Sequence, residues 1–426
     1  MEKANYQMYL NTLRRELVPA TGCTEPIAIA YAAALCRDTL GALPEGCEIR
    51  VSGSILKNVK SVVVPGTGGL KGLETAVAAG FLVGDAKASL EVLSHAPEQT
   101  GEMVRAYLSS HPVQVKLSDT GYLFEIDLNA FAGKDQARVR IVGNHTNVVL
   151  ISKNGTPTYQ AEIRSAEPGQ IDVERLNIRD VFEFAMTCSL SDVEETIQRQ
   201  IDCNTALSEE GLTHSWGACI GQVLLYSSPA PDVVLKAKAR AAAGSDARMS
   251  GCEMPAVINS GSGNQGITIT LPIVTYAEQL HSPREDLIRA LVLANLCAIR
   301  IKNAIGCLSA YCGAVCAGCA AGAGIAFLHH KNESIIVHTI VNGLAILSGT
   351  ICDGAKPSCA AKIAMSVEAG ILAFQMAVRG HEFFGGEGIV KKGIENTIRE
   401  VGKLGREGMA QTNDVILDIM MEHAGG

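Results

Sequence analysis

The stretch from residue 169 to the end of the chain carries helical patterns and is rich in alanine, glycine and leucine, apart from a loop at 244–266. This feature constrains the fold most, because small side chains let helices pack at short distances. It predicts a tight assembly of many helices, and the lack of a regular internal repeat disfavours a solenoid. Two apolar stretches, 314–328 and 335–352, are too short or too polar to span a bilayer, so we expect buried helices.

Residues 45–168 carry a different pattern. Runs of alternating or β-branched residues, including "CEIRVSGSI" and "VKSVVVPG", predict strands, with helical segments between them. Residues 1–44 contain two helical segments that we expect to pack with the helical domain, and 166–172 is typical of a linker. The predicted fold class is α+β: a large all-helical domain rich in glycine and alanine, over 169–426, plus a smaller α/β domain over 45–168.

The charge distribution limits the classes of partner. The chain has a formal net charge of −8 and lacks long runs of like charge, so neither a nucleic acid nor a membrane surface is expected as a partner. A small-molecule ligand is favoured. The N-terminal stretch "MEKANYQMYLNTLRREL" lacks the apolar core and cleavage site of a secretory signal, which predicts a cytoplasmic protein. The sequence leaves the oligomeric state open, a homo-oligomer included.

The chain contains 14 cysteines, and in the cytoplasm we expect these thiols to stay reduced. Metal binding, catalysis or packing must therefore explain them. Cys23 in "TGCTEP" and Cys352 in "CDGAKP" both precede a predicted helix whose first turn accepts a proline. A helix N-terminus favours the thiolate form of cysteine, and thiolates hold iron–sulfur clusters or zinc. These two residues are the first candidates for metal ligands.

A third cysteine-rich region is "GCLSAYCGAVCAGCAAGAG". Cys312, Cys316 and Cys319 in it follow a helical i, i+4, i+7 stripe, and a reduced cysteine behaves as a small hydrophobe in close helix contacts. Packing is therefore our interpretation for the following cysteines: Cys36, Cys188, Cys219, Cys297, Cys307, Cys316, Cys319 and Cys359.

With "TGCTEP", "SGSGNQG", "SAYCG" and "ICDGAKPSCAAK" in this order, the chain resembles the L-cysteine desulfidase family, relatives of the iron-sulfur L-serine dehydratase alpha chain. The resemblance extends over essentially the whole length. It implies a 4Fe-4S cluster with three cysteine ligands, which correspond here to Cys23, Cys312 and Cys352. Three ligands leave one iron open as a Lewis acid.

The resemblance implies the breakdown of L-cysteine to pyruvate, ammonia and sulfide. The reaction is an α,β-elimination followed by hydrolysis of the enamine, with the open iron acting on the leaving group. It needs a base for the Cα proton and anchors for the carboxylate and ammonium. No pyridoxal phosphate is implied, because the motif around Lys356 resembles the cluster loop of this family.

Four residues outside the "SGSGNQG" motif are candidates for catalysis or substrate binding. His145 in "GNHTN" is the leading candidate for the base, and a structural role at a strand end is the alternative. Lys356 is the second catalytic candidate, which would bind the substrate carboxylate or support its loop. Thr21 and Glu25 flank the first cysteine ligand: Thr21 can bond the substrate, and Glu25 can bind its ammonium or cap the helix, with the cap slightly favoured.

The loop "INSGSGNQGI" offers consecutive backbone N–H groups and three glycines, a combination suited to holding a carboxylate. Ser260, Asn264 and Gln265 in this loop are candidates for substrate binding, and an ordinary flexible loop is the alternative interpretation. Two rival functions remain at this level. One is an L-serine dehydratase, and the other is a non-catalytic protein that binds a small amino acid or a metal.

Overall fold

A computed structural model describes residues 3–163, 176–306 and 308–422. The predicted linker at 166–172 and Cys307 lie outside the described residues. The chain forms two consecutive regions: a six-stranded sheet with its helices, and then a larger helical region. The predicted α+β class, with a large helical domain and a smaller α/β domain, is confirmed.

The first segments connect the two regions. Helix α1 (Lys3–Glu16) packs on the helical region, where the ring of Tyr9 stacks on that of Phe184 with centroids 5.3 Å apart. Strand β1 (Pro19–Thr21) then pairs with β8 (Pro255–Val257) in an antiparallel two-stranded sheet. The segment just before Cys23 and the segment just before "INSGSGNQGI" are therefore held side by side.

Helix α2 (Thr24–Leu40) packs against the six-stranded sheet rather than on the helical region. The expectation that both N-terminal helices pack with the helical domain therefore does not describe α2. Its alanine and isoleucine side chains are buried on nearly every face, because the sheet covers one side and helix α4 (Leu73–Val83) the other. At Gly80 a Cβ would lie 2.3 Å from the carbonyl oxygen of Ala30, so glycine permits the close approach of α2 and α4.

The sheet has the strand order β3-β2-β4-β5-β6-β7, and β2 and β3 form its parallel pair. Between these two strands the chain runs through α3 (Gly53–Val59), α4, a short 3-10 helix and α5 (Thr100–Ser110). The remaining neighbours pair antiparallel. The strands are β2 (Gly46–Val51), β3 (Val113–Leu117), β4 (Glu125–Ala132), β5 (Asp135–Val142), β6 (Val148–Lys153) and β7 (Thr156–Gln160).

The predicted strand in "VKSVVVPG" is wrong. Ser52 ends β2 and caps α3 by accepting a hydrogen bond from the backbone N–H of Ile55. The β-branched run that follows forms an isolated bridge between Val63 and Lys71. The other predicted strand, "CEIRVSGSI", ends early at Val51, because the Ser52 N-cap starts helix α3 directly after β2 and overrides the local β propensity.

The helical region surrounds helix α12, which packs against α10, α11, α13 and α14. Small residues permit this packing: a Cβ at Gly318 would lie 2.2 Å from the carbonyl oxygen of Ser366, and one at Gly322 would lie 2.4 Å from that of Gly370. The helices of this region are α6 (Ile178–Thr187), α7 (Leu190–Thr213), α8 (Ile220–Tyr226), α9 (Val233–Met249), α10 (Gly263–Leu280), α11 (Arg284–Ile305), α12 (Gly313–His329), α13 (Glu333–Ile346), α14 (Cys359–Val378), α15 (Ile394–Lys403) and α16 (Ala410–Glu422).

Helix α14 has the length and apolar composition of a membrane span, and it is the one helix of the described residues that does. Half of its apolar window is buried inside the fold, where it packs against α9, α12 and α13. The core helices of proteins meet the same criteria of length and composition.

Candidate functional site

Cys23 is the N-cap residue of α2, and Pro26 lies in the first turn as the sequence predicts. The thiol is 2% exposed and donates a hydrogen bond to Oε2 of Glu25 over 3.1 Å. Burial, together with the Glu25 carboxylate, holds the pKa of Cys23 well above its ordinary value. The helix N-terminus alone therefore does not produce a thiolate here, and a bound metal would have to deprotonate the thiol.

Cys312 and Cys352 are brought side by side by backbone pairing. An antiparallel bridge joins Tyr311 to Ile351, with the N–H of Cys312 on the carbonyl of Thr350 (3.1 Å). Cys312 is the N-cap residue of α12. Burial, together with the nearby thiols of Cys352 and Cys359, raises the pKa of Cys312 to about 12.

Cys359, the first residue of α14, is a neighbour both of the cluster that contains Cys23 and of the pair Cys312 and Cys352. It packs against a small cluster formed by Cys23, Val62 and Met249. Its neighbours also include Cys352 and Cys312. Cys359 was interpreted as a packing residue, and the structure adds that it borders the same region as the three predicted ligands.

Cysteine thiolates hold both single zinc ions and iron–sulfur clusters. Within the described ranges, no three histidine, cysteine, aspartate or glutamate side chains are grouped closely enough to hold one metal ion. A zinc ion requires its sulfur ligands about 2.3 Å from one centre. A 4Fe-4S cluster is larger and takes its thiolates at separate corners. Cys312 and Cys352 lie side by side, and Cys23 belongs to the small cluster on which Cys359 packs. All three are thiols, the ligands that such a cluster takes.

The loop after Cys352 is held by its own charges. Asp353 pairs with Lys356 and Lys362. Burial opposes ionisation of Asp353, but the hydrogen bonds from the two lysines lower its pKa to about 2. Lys356 also contacts the backbone carbonyls of Asp353 and Gly354, at 3.1 and 3.4 Å. Its ammonium is therefore engaged within its own loop.

Lys57 is a buried cation that the sequence did not single out. It is 1% exposed, and its Nζ donates to the carbonyl of Cys352 (3.2 Å) and to Oδ1 of Asn413 (2.6 Å). Gly354 adopts a positive φ of +94°, and a Cβ there would lie 2.4 Å from the carbonyl oxygen of Lys57. Helix α3 thus holds the Cys352 loop, and Asn413 of α16 fixes the Lys57 ammonium that does so.

Glu25 lies at the centre of a buried polar group. Its Oε1 accepts from Nδ2 of Asn58 (3.0 Å), and its Oε2 accepts from the hydroxyl of Thr24 (3.2 Å) and from the Cys23 thiol. Burial opposes ionisation, but His145, the Cys23 thiol and Arg248 lower the pKa of Glu25. Glu25 is therefore a carboxylate that binds side chains of the site.

His145 follows β5 and is 7% exposed, with its ring at the edge of Phe124, centroids 4.8 Å apart. Burial lowers the pKa of His145, although Glu25 opposes the shift. Its Nε2 is buried without a hydrogen-bond partner. Gly261, with a φ of +75°, makes room for the ring, because a Cβ there would lie 3.0 Å from Cε1 of His145.

The glycine-rich loop leads into α10 and carries three of the predicted substrate-binding residues. Ser260 has a φ of +50° and donates to Oδ1 of Asn259 (2.8 Å). Oδ1 of Asn264 accepts from the hydroxyl of Ser245 at 3.2 Å. Gln265 lies over the start of α12, where a Cβ at Gly313 would be 2.9 Å from its Cδ. Gln265 therefore packs on the start of α12, whereas Ser260 and Asn264 are held by hydrogen bonds.

Arg248 is the residue that sequence reasoning missed. It lies near the end of α9, 3% exposed, and its Nη1 donates to Oδ1 of Asn264 (3.2 Å). A Cβ at Gly263 would lie 2.3 Å from its Nε, so glycine is required beneath the guanidinium. The stretch "AKARAAAGSDARM" contains both Arg240 and Arg248, and no signal in it separates the two.

Several buried polar atoms of this region have no hydrogen-bond partner. Such atoms are costly in a protein interior unless a ligand or water satisfies them. Three of them belong to predicted site residues, and two to residues found in the structure. They are Oγ1 of Thr21, Nε2 of His145, Oε1 of Gln265, Oδ1 of Asn58 and Nε of Arg248.

Comparison with known proteins gives the family. A sequence profile described as "Serine dehydratase alpha chain" matches residues 87–418. A UPF0597 protein of Desulfitobacterium hafniense is 49% identical over 417 residues, covering 98% of this chain and 97% of the relative. A UPF0597 protein of Finegoldia magna is 45% identical over 415 residues, covering 97% and 99%. The names of these relatives state no activity. The family match confirms the resemblance that the motifs indicated, and the chain belongs to the serine dehydratase alpha chain family, a family of iron–sulfur lyases.

Proposed function

We propose that this protein is an iron–sulfur-dependent lyase that acts on a small L-amino acid by α,β-elimination. L-Cysteine is the proposed substrate, with pyruvate, ammonia and sulfide as products. One observation carries the proposal: Cys359 packs on the cluster that contains Cys23 and interacts electrostatically with Cys312 and Cys352, in a region where several buried polar atoms have no partner. Family membership supports the lyase class.

Cys23, Cys312 and Cys352 would hold a 4Fe-4S cluster. When bound, it supplies a Lewis-acidic iron with an open position for the leaving group. Lys57 binds the carbonyl of Cys352, and Lys356 neutralises Asp353 in the loop that follows. In this proposal Lys356 therefore supports the ligand loop. Reduced thiols of this kind require a reducing compartment, which supports a cytoplasmic location.

His145 receives the Cα proton in this proposal. A base must be unprotonated and must present a free lone pair to the substrate. Burial lowers the pKa of His145, so its ring is neutral near pH 7, and its Nε2 has no partner. Phe124 and Gly261 pack against the ring and limit its rotation.

The elimination breaks the Cα–H and Cβ–S bonds of L-cysteine and forms a Cα–Cβ double bond. The proton goes to His145, and the sulfur leaves as hydrogen sulfide after it gains a proton. The aminoacrylate product tautomerises to an imine, and water then releases ammonia and pyruvate. Thr21, Glu25, Ser260, Asn264 and Gln265 are the proposed substrate contacts around this chemistry.

L-Serine dehydratase activity is the second candidate, because the family description names serine dehydratase. The two reactions differ in the leaving group, a thiol or a hydroxyl at Cβ. The same base and the same anchors serve both. The substrate preference therefore has to be measured directly.

The test uses anaerobically purified, iron-loaded protein that is incubated with L-cysteine and L-serine in separate assays. We expect pyruvate from both amino acids or from L-cysteine alone, with a higher kcat/KM for L-cysteine. In the L-cysteine assay, sulfide and pyruvate should form in equal amounts. A higher kcat/KM for L-serine would support the second candidate. Iron-loaded protein that releases pyruvate from neither amino acid would contradict both.

A further inference from the structure

Arg248 is a buried cation that lacks a counter-ion of its own. In the part of the chain that the structure describes, no carboxylate lies within ion-pair distance of it. Its Nη1 binds the neutral amide oxygen of Asn264, and its Nε has no partner. Glu25 and His145 lie close enough to interact with it electrostatically, without direct contact.

Such an arrangement is costly unless an anion completes it. Removing a charge from water requires compensation by a partner of opposite charge with good hydrogen-bond geometry. A guanidinium offers a planar fork of donors that matches a carboxylate. Gly263 packs its backbone directly on the guanidinium, since any side chain there would collide with it. The buried Nε of Arg248 nevertheless remains a free donor.

The buried polar group around Glu25 also contains free acceptors, on Asn58 and Gln265. Asn58 donates its Nδ2 to Glu25, which fixes the amide orientation and leaves Oδ1 buried without a partner. Gln265, 4% exposed, likewise has a buried Oε1 without a partner. Together with the Glu25 carboxylate, these oxygens form an acceptor group of the kind that an ammonium requires. This buried polar group thus has a positive side at Arg248 and a negative side at Glu25.

We propose that Arg248 binds the α-carboxylate of the substrate, while Asn58 and Gln265 accept hydrogen bonds from its α-ammonium beside Glu25. This inference rests on the proposed function and adds to it a specificity rule. The site takes free zwitterionic α-amino acids, and it discriminates against analogues that lack either pole. Cysteamine, which lacks the carboxylate, and 3-mercaptopropionate, which lacks the ammonium, are expected to be poor ligands.

The test compares iron-loaded wild type with Arg248→Gln and Arg248→Lys. We expect kcat/KM for L-cysteine to fall by about 100-fold or more in Arg248→Gln, mainly through KM, because a hydrogen-bonded buried charge contact is lost. Arg248→Lys keeps the charge without the fork and is expected to fall between the two. Added guanidinium chloride should restore part of the activity of Arg248→Gln.

Arg240→Gln is the matched control. Arg240 lies on the same helix but pairs with Glu278 at the surface, so its loss should leave kcat/KM within about twofold. Iron content distinguishes substrate binding from a role of Arg248 in balancing the charge of the cluster. An Arg248→Gln protein that loses iron in proportion to activity would overturn the proposal, as would an unchanged KM.

A binding measurement separates this proposal from the proposed function. L-Serine is titrated calorimetrically into wild type and Arg248→Gln. Binding to wild type that is lost in the variant supports the anchor, even in a protein that releases no pyruvate. Equal binding to both proteins, or binding to neither, overturns it.

Discussion

The two ends of one short cysteine stripe on α12 have different surroundings. Cys312 stands at the N-cap, beside Cys352 and Cys359. Cys316 and Cys319 lie one and two turns further on, inside the helical core. At Gly343 a Cβ would lie 2.7 Å from the sulfur of Cys319, so this thiol fills a close helix contact. On this stripe, position at the helix start, and not spacing, separates the candidate ligand Cys312 from the buried Cys316 and Cys319.

The largest expected effect on activity comes from replacing the candidate ligands outside α12. Replacing Cys23 or Cys352 singly with alanine should abolish pyruvate release, because two thiolates no longer hold the cluster firmly. The measurement is turnover of L-cysteine by anaerobic protein, with circular dichroism to check the fold. Full turnover in either variant would show that the ligand set is assigned wrongly.

His145→Gln comes next and tests the base. We expect kcat to fall by about 10²–10⁴-fold with iron content unchanged, since general base catalysis contributes on this order. In wild type the neutral ring is the active form, and burial lowers its pKa. The acid limb of kcat/KM should therefore lie below the ordinary value of histidine, about 6.5. An acid limb above that value, or full activity in the variant, would assign the base elsewhere.

Gly354→Ala tests how the Cys352 loop is held. The positive φ and the collision with the carbonyl of Lys57 should cost about 1–3 kcal/mol and reduce iron occupancy. Gly349→Ala is the control, because a Cβ there meets no atom within 4 Å. Thermal unfolding and iron analysis measure both effects. Equal behaviour of the two variants would mean that the clamp by Lys57 does not shape the loop.

The smallest effect is expected for Cys319→Ala. Loss of one buried sulfur should lower the free energy of unfolding by about 1 kcal/mol and leave iron and turnover unchanged. Denaturant unfolding provides the measurement. A loss of iron in this variant would extend the cluster site into the core of α12 and remove the distinction drawn above.

Local signals in the sequence predicted much of the fold. The helix start after Cys23, the α/β character of residues 45–168 and the glycine-rich helical region follow from proline, glycine and hydrophobic periodicity. The helix after Cys352 begins only at Cys359, and the strand predicted in "CEIRVSGSI" stops at Val51 because the Ser52 cap starts a helix there. The packing of α2 on the sheet could not be read from its pattern, which is apolar on nearly every face.

The candidate site was predictable only in part, for a similar reason. Motifs indicated His145, Glu25 and the glycine-rich loop. Pairing of Tyr311 with Ile351, which brings two cysteines together, is a long-range contact without a local signal. Lys57 and Arg248 have ordinary sequence surroundings, and only their burial and unmatched charge mark them as site residues.

The central claim is that Cys312 and its two partners hold one cluster while the next cysteine on the helix does not. Iron and acid-labile sulfide per chain, measured in matched anaerobic preparations of wild type, Cys312→Ala and Cys316→Ala, test it most directly. We predict about four of each in wild type and in Cys316→Ala, and a loss of both in Cys312→Ala. Wild-type amounts in Cys312→Ala, or the same loss in both variants, would contradict the claim.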